Sequence, residues 1–166
     1  GGQEGEAVNA ATRAGVKHVV KLAAWGTENA SFSFAHIPRA AEKAIEGSGL
    51  QWTFLRPNGF MQNIANYSGD TIRSQGAIYS SAADSKISMI DVRDIAAVAV
   101  KVLTSPAAHQ GKAYSLSGPE ALSNEDAARK ISAAIGKPVK YVPLSDADYK
   151  GGMLGAGIPS DYADAL

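Results

Sequence analysis

The chain has no cysteine among its 166 residues, which excludes disulfides and thiolate chemistry. Neither sign of charge is in excess, since 16 basic side chains stand against 16 acidic ones. With no basic run either, there is no electrostatic footprint for nucleic acid or an anionic membrane, and neither is expected as a partner. No apolar run reaches the ~18 residues that would span a bilayer, and no signal-like apolar segment follows a basic start. A soluble protein is therefore expected, and the missing cysteine suits a cytoplasmic location. His18, His36 and His109 lack metal-ligand spacing, so no metal site is expected. There is no Gly-x-Ser-x-Gly elbow for a hydrolase, no internal repeat and no low-complexity segment. What is present is an ordinary globular composition, 45% hydrophobic, enough for one domain's core.

The most informative stretch is residues 35–63, AHIPRAAEKAIEGSGLQWTFLRPNGFMQN. Pro38 fits the first turn of a helix, where its missing N–H costs nothing. Ala40, Ala41, Ala44 and Ile45 form an apolar stripe, which puts Arg39, Glu42, Lys43 and Glu46 on the outer face. Arg39 with Glu42 and Lys43 with Glu46 are opposite-charge pairs one helical turn apart. Gly47-Ser48-Gly49 stops the helix. Leu50 to Leu55 are then apolar or β-branched on both faces apart from Gln51, the pattern of a strand covered on both sides. Arg56-Pro57-Asn58-Gly59 ends that strand, because proline cannot continue the ladder and Asn-Gly turns the chain. The carboxyl end of such a strand is where open α/β sheets bind ligands.

Before this unit, residues 4–14 read as a helix capped by Gly15, and 18–24 as a buried strand ending at Trp25-Gly26. After it, Phe60 to Arg73 reads as a helix broken near Ser68-Gly69. Ala77 to Ser80 and Lys86 to Ile90 read as short strands. Asp91 is an N-cap for a helix over 92–103, with Asp94 near its positive end. Lys112 to Leu116 is a further strand. Ser123 and Asp126 form a capping-box pattern opening a helix over 124–135, which Gly136 stops. Val139 to Val142 is a last strand, and the tail from Ser145, with Gly151, Gly152, Gly155 and Gly157, reads as a flexible lid. The alternating order of strands and helices predicts a parallel sheet with 18–24, 51–56 and 112–116 side by side and 51–56 in the middle.

The segments EKAIEGSGLQWTFLRPNGFMQN, AATRAGVKHVVKLAAWG, ISMIDVRDIAAVAVKVL and KAYSLSGPEALSNEDAARKISAAIGKPVKYVP resemble the NmrA-like, atypical short-chain dehydrogenase/reductase group. That group includes NAD(P)H-dependent azo-dye, triphenylmethane-dye and quinone reductases. The resemblance covers nearly the whole chain. It implies an α/β fold corresponding to the C-terminal half of a Rossmann-like parallel sheet with flanking helices, plus a small substrate lobe. The division expected is a main lobe over about 1–75 and 91–118, and a substrate lobe over about 76–90 and 119–166. It also implies that relatives carry the first half of the sheet upstream, and some residues downstream, of this sequence.

Two expected features are missing. No strand runs into a Gly-x-Gly-x-x-Gly helix start, and Gly1, Gly2 and Gly5 come too early to serve as one. No tyrosine has a lysine four residues later. By resemblance, the positions of that catalytic pair fall on Phe34 and Pro38, and that of the accompanying serine on Ala23 or Ala24. The remaining candidates are weighed against plainer roles. His36 could donate a hydrogen bond to a substrate gaining negative charge, or be a surface histidine at a helix start. Asn58 could meet a nicotinamide or substrate, or simply make the Asn-Gly turn. Ala23, Ala24, Pro57, Gly59 and Phe60 share the cofactor-facing expectation. Trp25 could pack on a flat aromatic substrate or be a rim residue. Met61 and Met153, with Tyr67, Ile78 and Tyr162, could line an apolar pocket or be core. Asp91-Val92-Arg93-Asp94 is explained by a helix start alone.

Three functions fit these residues. The first is an NAD(P)H-dependent reductase of quinone-like or dye-like aromatics, with NADPH slightly favoured and binding weak or lost without the glycine loop. The second is an NAD(P)-sensing regulator without catalysis. The third is a cofactor-free half-fold acting through assembly, as a homodimer or paired with an N-terminal half along the bare edge of 18–24.

Overall fold

The computed structural model describes residues 2–29 and 36–163, which divide into two compact units. The first comprises residues 1–58 and 90–117, the second 59–89 and 118–166.

In the first unit, α1 (Gly2–Arg13), β1 (His18–Leu22), α2 (His36–Glu46), β2 (Gln51–Pro57), α4 (Val92–Thr104), α5 (Pro106–His109) and β4 (Lys112–Leu116) build one sheet and its cover. The strand order is β1-β2-β4, all parallel, so the expected arrangement with β2 in the centre holds. Thr53, Phe54 and Leu55 are all but fully buried, as the two-faced apolar pattern requires. Phe54 packs with Val8 of α1 and Ile45 of α2 on one face, beside a stacked Trp52 whose ring centroid lies 4.2 Å away. α4 packs on β1 and β2. Asp91 caps α4 as expected, accepting from the Arg93 N–H at 2.8 Å.

Pro57 is the last residue of β2 rather than a residue beyond it. It forfeits one ladder donor but keeps its carbonyl, which accepts from the Trp25 N–H at 2.9 Å. The helix stripe also differs from expectation. Ala40 and Ala44 are exposed, whereas Ala41, Glu42 and Ile45 are buried, with Glu42 fully so. The helix turned to the sheet the face that includes a carboxylate, because two arginines meet that carboxylate there.

The second unit holds β3 (Ala77–Ser80) and β5 (Lys140–Pro143), paired in parallel, with α3 (Gln62–Gln75), α6 (Asn124–Ile135), α7 (Asp146–Gly155) and α8 (Ser160–Ala163). Ile78, Ala128 and Val139 form its core, with Ile64, Ile72, Ile131 and Tyr141 packed around them. Ser123 and Asp126 make the capping box that their spacing suggested, and these hydrogen bonds hold the Asp126 carboxyl below its usual range.

Several local expectations fail in this unit. α3 runs unbroken through Ser68-Gly69, since one interior glycine costs only ~1 kcal/mol against a full helix. It packs on β3, although the sequence division placed it in the main lobe. Residues 86–90 do not form a strand; Ile87 makes only an isolated antiparallel bridge to Leu122. Most of the described tail is helical. Ser145 caps α7 by accepting from the Asp148 N–H, and α7 continues through Gly151, Gly152 and Gly155. Among the described residues, no helix is long and apolar enough to cross a membrane.

Candidate functional site

The carboxyl edge of the three-stranded sheet gathers most of the first unit's candidates. Backbone pairing continues past β1: the Ala23 N–H donates to the Leu55 carbonyl at 2.7 Å, and the Trp25 N–H to that of Pro57. On the other side of β2, the Asn58 N–H donates to the Leu116 carbonyl at 2.8 Å. Ala23, Ala24, Trp25, Pro57 and Asn58 are therefore brought to one end of one sheet. Their side chains there are small or planar: Ala23, Ala24 and Asn58 are half-buried, Pro57 is buried, and Trp25 is 48% exposed.

The loop after β1 is short and heavily tied. Gly26 adopts φ 75°, a left-handed conformation that turns the chain directly after Trp25. Thr27 is fully buried and its hydroxyl donates to the Ala24 carbonyl at 2.6 Å, opening a 3-10 turn over Thr27–Asn29. Glu28 closes an ion pair with Arg56 at 3.0 Å. Arg56 in turn forks onto Glu42, Nε to Oε1 at 2.9 Å and Nη2 to Oε2 at 3.0 Å. Arg39 reaches the same carboxylate at 3.0 Å and Glu46 at 2.9 Å. The hydrogen bond to Glu42 is the main reason the Arg56 pKa lies above its ordinary value; for Arg39, the hydrogen bond to Glu46 does most. Glu28, Glu42 and Arg56 were not singled out on sequence. Their one local signal was the Arg39–Glu42 spacing, which reads equally well as a solvated face.

His36 begins α2, but its side chain lies outside the described atoms, and Phe34 lies outside the described residues altogether. Pro38 does occupy the first turn of α2. The other candidates fall in the second unit. Gly59 and Phe60 are half-buried, Met61 is 41% exposed, and Met153 is buried on α7. Tyr67 is exposed and Ile78 is core, while the Tyr162 side chain is not among the described atoms. Around Met61 the backbone is tightly drawn. A Cβ added to Gly118 would lie 2.0 Å from the Met89 carbonyl oxygen, so no other residue fits there without moving the chain. A Cβ at Gly59 would meet the Ile87 methyl at 2.9 Å.

At the opposite, amino edge of the sheet lies a second polar group. His18 Nε2 contacts the Thr53 hydroxyl at 2.9 Å, and that hydroxyl donates to the His109 carbonyl at 2.8 Å. His109 Nδ1 meets the Tyr114 hydroxyl at 2.8 Å. Burial, and then the nearby His109, push the His18 pKa below its ordinary 6.5.

Small side chains and a strand-ending proline line the carboxyl edge, and the sequence contains no glycine-rich loop of the kind that cradles a dinucleotide's pyrophosphate. Comparison with known proteins narrows the identity. Residues 3–166 match the NmrA-like family. The chain is 42% identical over 162 residues to an NAD(P)H azoreductase of Xenophilus azovorans, covering 96% of this chain and 55% of that protein. It superposes on the NADPH-dependent quinone oxidoreductase of Escherichia coli, solved with NADPH, at a TM-score of 0.87 and 30% identity, over 99% of this chain and 57% of that one. The triphenylmethane reductase of Citrobacter, solved with NADP(H), gives a TM-score of 0.85 at 28% identity, over 97% of this chain and 56% of that one. The chain thus spans little more than half the length of these relatives, in a Rossmann-like fold. It belongs to the NmrA-like family.

Proposed function

We propose that the chain is the portion of an NAD(P)H-dependent reductase that carries the nicotinamide-facing sheet edge and residues for a flat, electron-poor aromatic such as a quinone or dye. The observation that carries this reading is the likeness to the E. coli quinone reductase solved with NADPH, which also favours NADPH over NADH. NAD(P)H, when bound, supplies the hydride. On this reading Ala23, Ala24, Pro57 and Asn58 of the first unit face the cofactor, and Trp25 offers its ring to the substrate. His36 and Asn58 are the candidates for polar contact with the reacting groups. In the second unit Gly59 and Phe60 are cofactor candidates, and Met61 and Met153 substrate candidates. A cytoplasmic location accords with this chemistry.

The test is to mix the 166-residue chain with NADPH, follow nicotinamide fluorescence, and then add a quinone. Without a glycine-rich loop, only a weak fluorescence change at high NADPH and slow quinone-dependent oxidation are expected, and Asn58→Ala should lower that turnover more than melting temperature. Binding without turnover would point to a redox-sensing regulator instead, and no binding to a role in assembly.

One observation favours assembly as a property of this chain. Among the described strands β1 pairs only with β2, so its other edge presents unpaired N–H and C=O groups beside a Val-Val-Lys-Leu run. Such an edge recruits another strand. Pairing through β1 with a second copy, or with a segment supplying the first half of the sheet, is the expected outcome. Light scattering after size exclusion measures it, and a monomer at all concentrations would count against it.

A further inference from the structure

The loop between β1 and the undescribed segment carries one large half-exposed ring, Trp25, and is tied down on both sides of it. Ahead of the turn, the Trp25 N–H is bonded to the Pro57 carbonyl; within it, the buried Thr27 holds the Ala24 carbonyl. Beyond the turn, the tie is the Glu28 carboxylate, and its partner is Arg56. Arg56 is not a free surface cation. Two of its three nitrogens are committed to Glu42, a carboxylate with no solvent exposure whose Oε2 also accepts from Arg39. The guanidinium plane is thereby set from the core, and the remaining nitrogen, Nη1, points at Glu28.

We propose that Arg56 is a positioning residue. Locked by Glu42, it holds Glu28 and so pins the turn that carries Trp25, which presents the ring as a stacking face for a flat aromatic substrate. The substrate part of this inference rests on the reductase reading above. Only a planar fork can do this, because one edge must grip Glu42 while the third nitrogen reaches Glu28. A lysine ammonium, though equally charged, cannot hold both with fixed geometry. The functional return is pre-organisation, since a turn already held in place need not be ordered when substrate arrives.

The experiment starts from Trp52→Phe, which leaves Trp25 as the sole tryptophan. Acrylamide quenching and fluorescence anisotropy of Trp25 are then compared in that parent and in Glu28→Ala and Arg56→Lys. Glu28 lies at the surface, so its variant tests the tie without threatening the fold. Quenching is expected to rise on the order of 1.5- to 2-fold and anisotropy to fall in both variants, with far-UV circular dichroism unchanged, because a loosened turn opens locally. Quenching of Trp25 by 1,4-naphthoquinone then reports ring binding. Its affinity should weaken by about 2- to 10-fold in Glu28→Ala, the range for losing one pre-ordered side chain, while NADPH affinity stays at the parent value. Parent-like quenching and anisotropy in both variants would overturn the proposal. Altered Trp25 mobility in a protein whose parent binds no naphthoquinone would sink the reductase reading and leave the positioning role standing.

Discussion

The two ends of the three-stranded sheet solve the same problem with different chemistry. Each must hold together strand, helix and loop where the regular ladder stops. At the carboxyl end the ties are ionic, Glu28 and Glu42 around Arg56, with Arg39 and Glu46 behind. At the amino end they are neutral, a chain from His18 through Thr53 to the His109 carbonyl, with Tyr114 on the His109 ring. The neutral end depends on imidazole remaining uncharged. The pH-sensitive group, His18, therefore sits at the end away from the cofactor and substrate candidates, which gather at the ionic end.

The comparison breaks most severely at Glu42. Glu42→Ala would leave Arg39 and Arg56 side by side without their shared carboxylate, and the expected loss is about 3–5 kcal/mol in urea or thermal unfolding. At the other end, Thr53→Val removes a fully buried hydroxyl that serves two partners at once. A loss of about 1–3 kcal/mol is expected by the same measurement, smaller because no charge is stranded.

Acid should probe the amino end without any mutation. The folded His18 has a pKa below its ordinary 6.5, so the native state favours the neutral ring. Stability is then complete above that value, declines as pH falls below it, and levels off once pH passes the lower folded pKa. His18→Asn should flatten this decline in melting temperature, and an unchanged profile would show that His18 is not its source. The smallest effect is expected from a pair at neither end. Arg73 and Asp70 are both largely exposed on α3, and Arg73→Ala should change stability by no more than ~0.5 kcal/mol.

What could be read from the residues divides along a physical line. Signals confined to one turn of chain were legible: the Asp91 cap, the Ser123–Asp126 capping box, and the two-faced burial of β2 that placed it mid-sheet. The Glu28–Arg56–Glu42 cluster was not, because its members come from three elements and a carboxylate one turn from an arginine normally faces water. The helical tail was hidden by its glycines, although Ser145 and Asp148 repeat the capping pattern seen at Ser123. At the site, strand ends could be located from Trp25-Gly26 and Pro57-Asn58, since each marks where an apolar run stops. Which side chains are held still there could not, because that depends on partners distant in sequence.

The interleaving of the two units has a consequence for how the chain must be made. The second unit takes its residues from two separate stretches, with 90–117 of the first unit between them. Ala77 of β3 pairs with Lys140 of β5, so β3 leaves the ribosome without its partner. At ~5–20 residues per second, the roughly 60 intervening residues keep that strand waiting for several seconds. The first unit shows the same dependence in β2, whose second neighbour, β4, is also made long after it. Neither sheet can be finished until its last strand has been made, and Ile78 lacks its core partners until Ala128 and Val139 arrive.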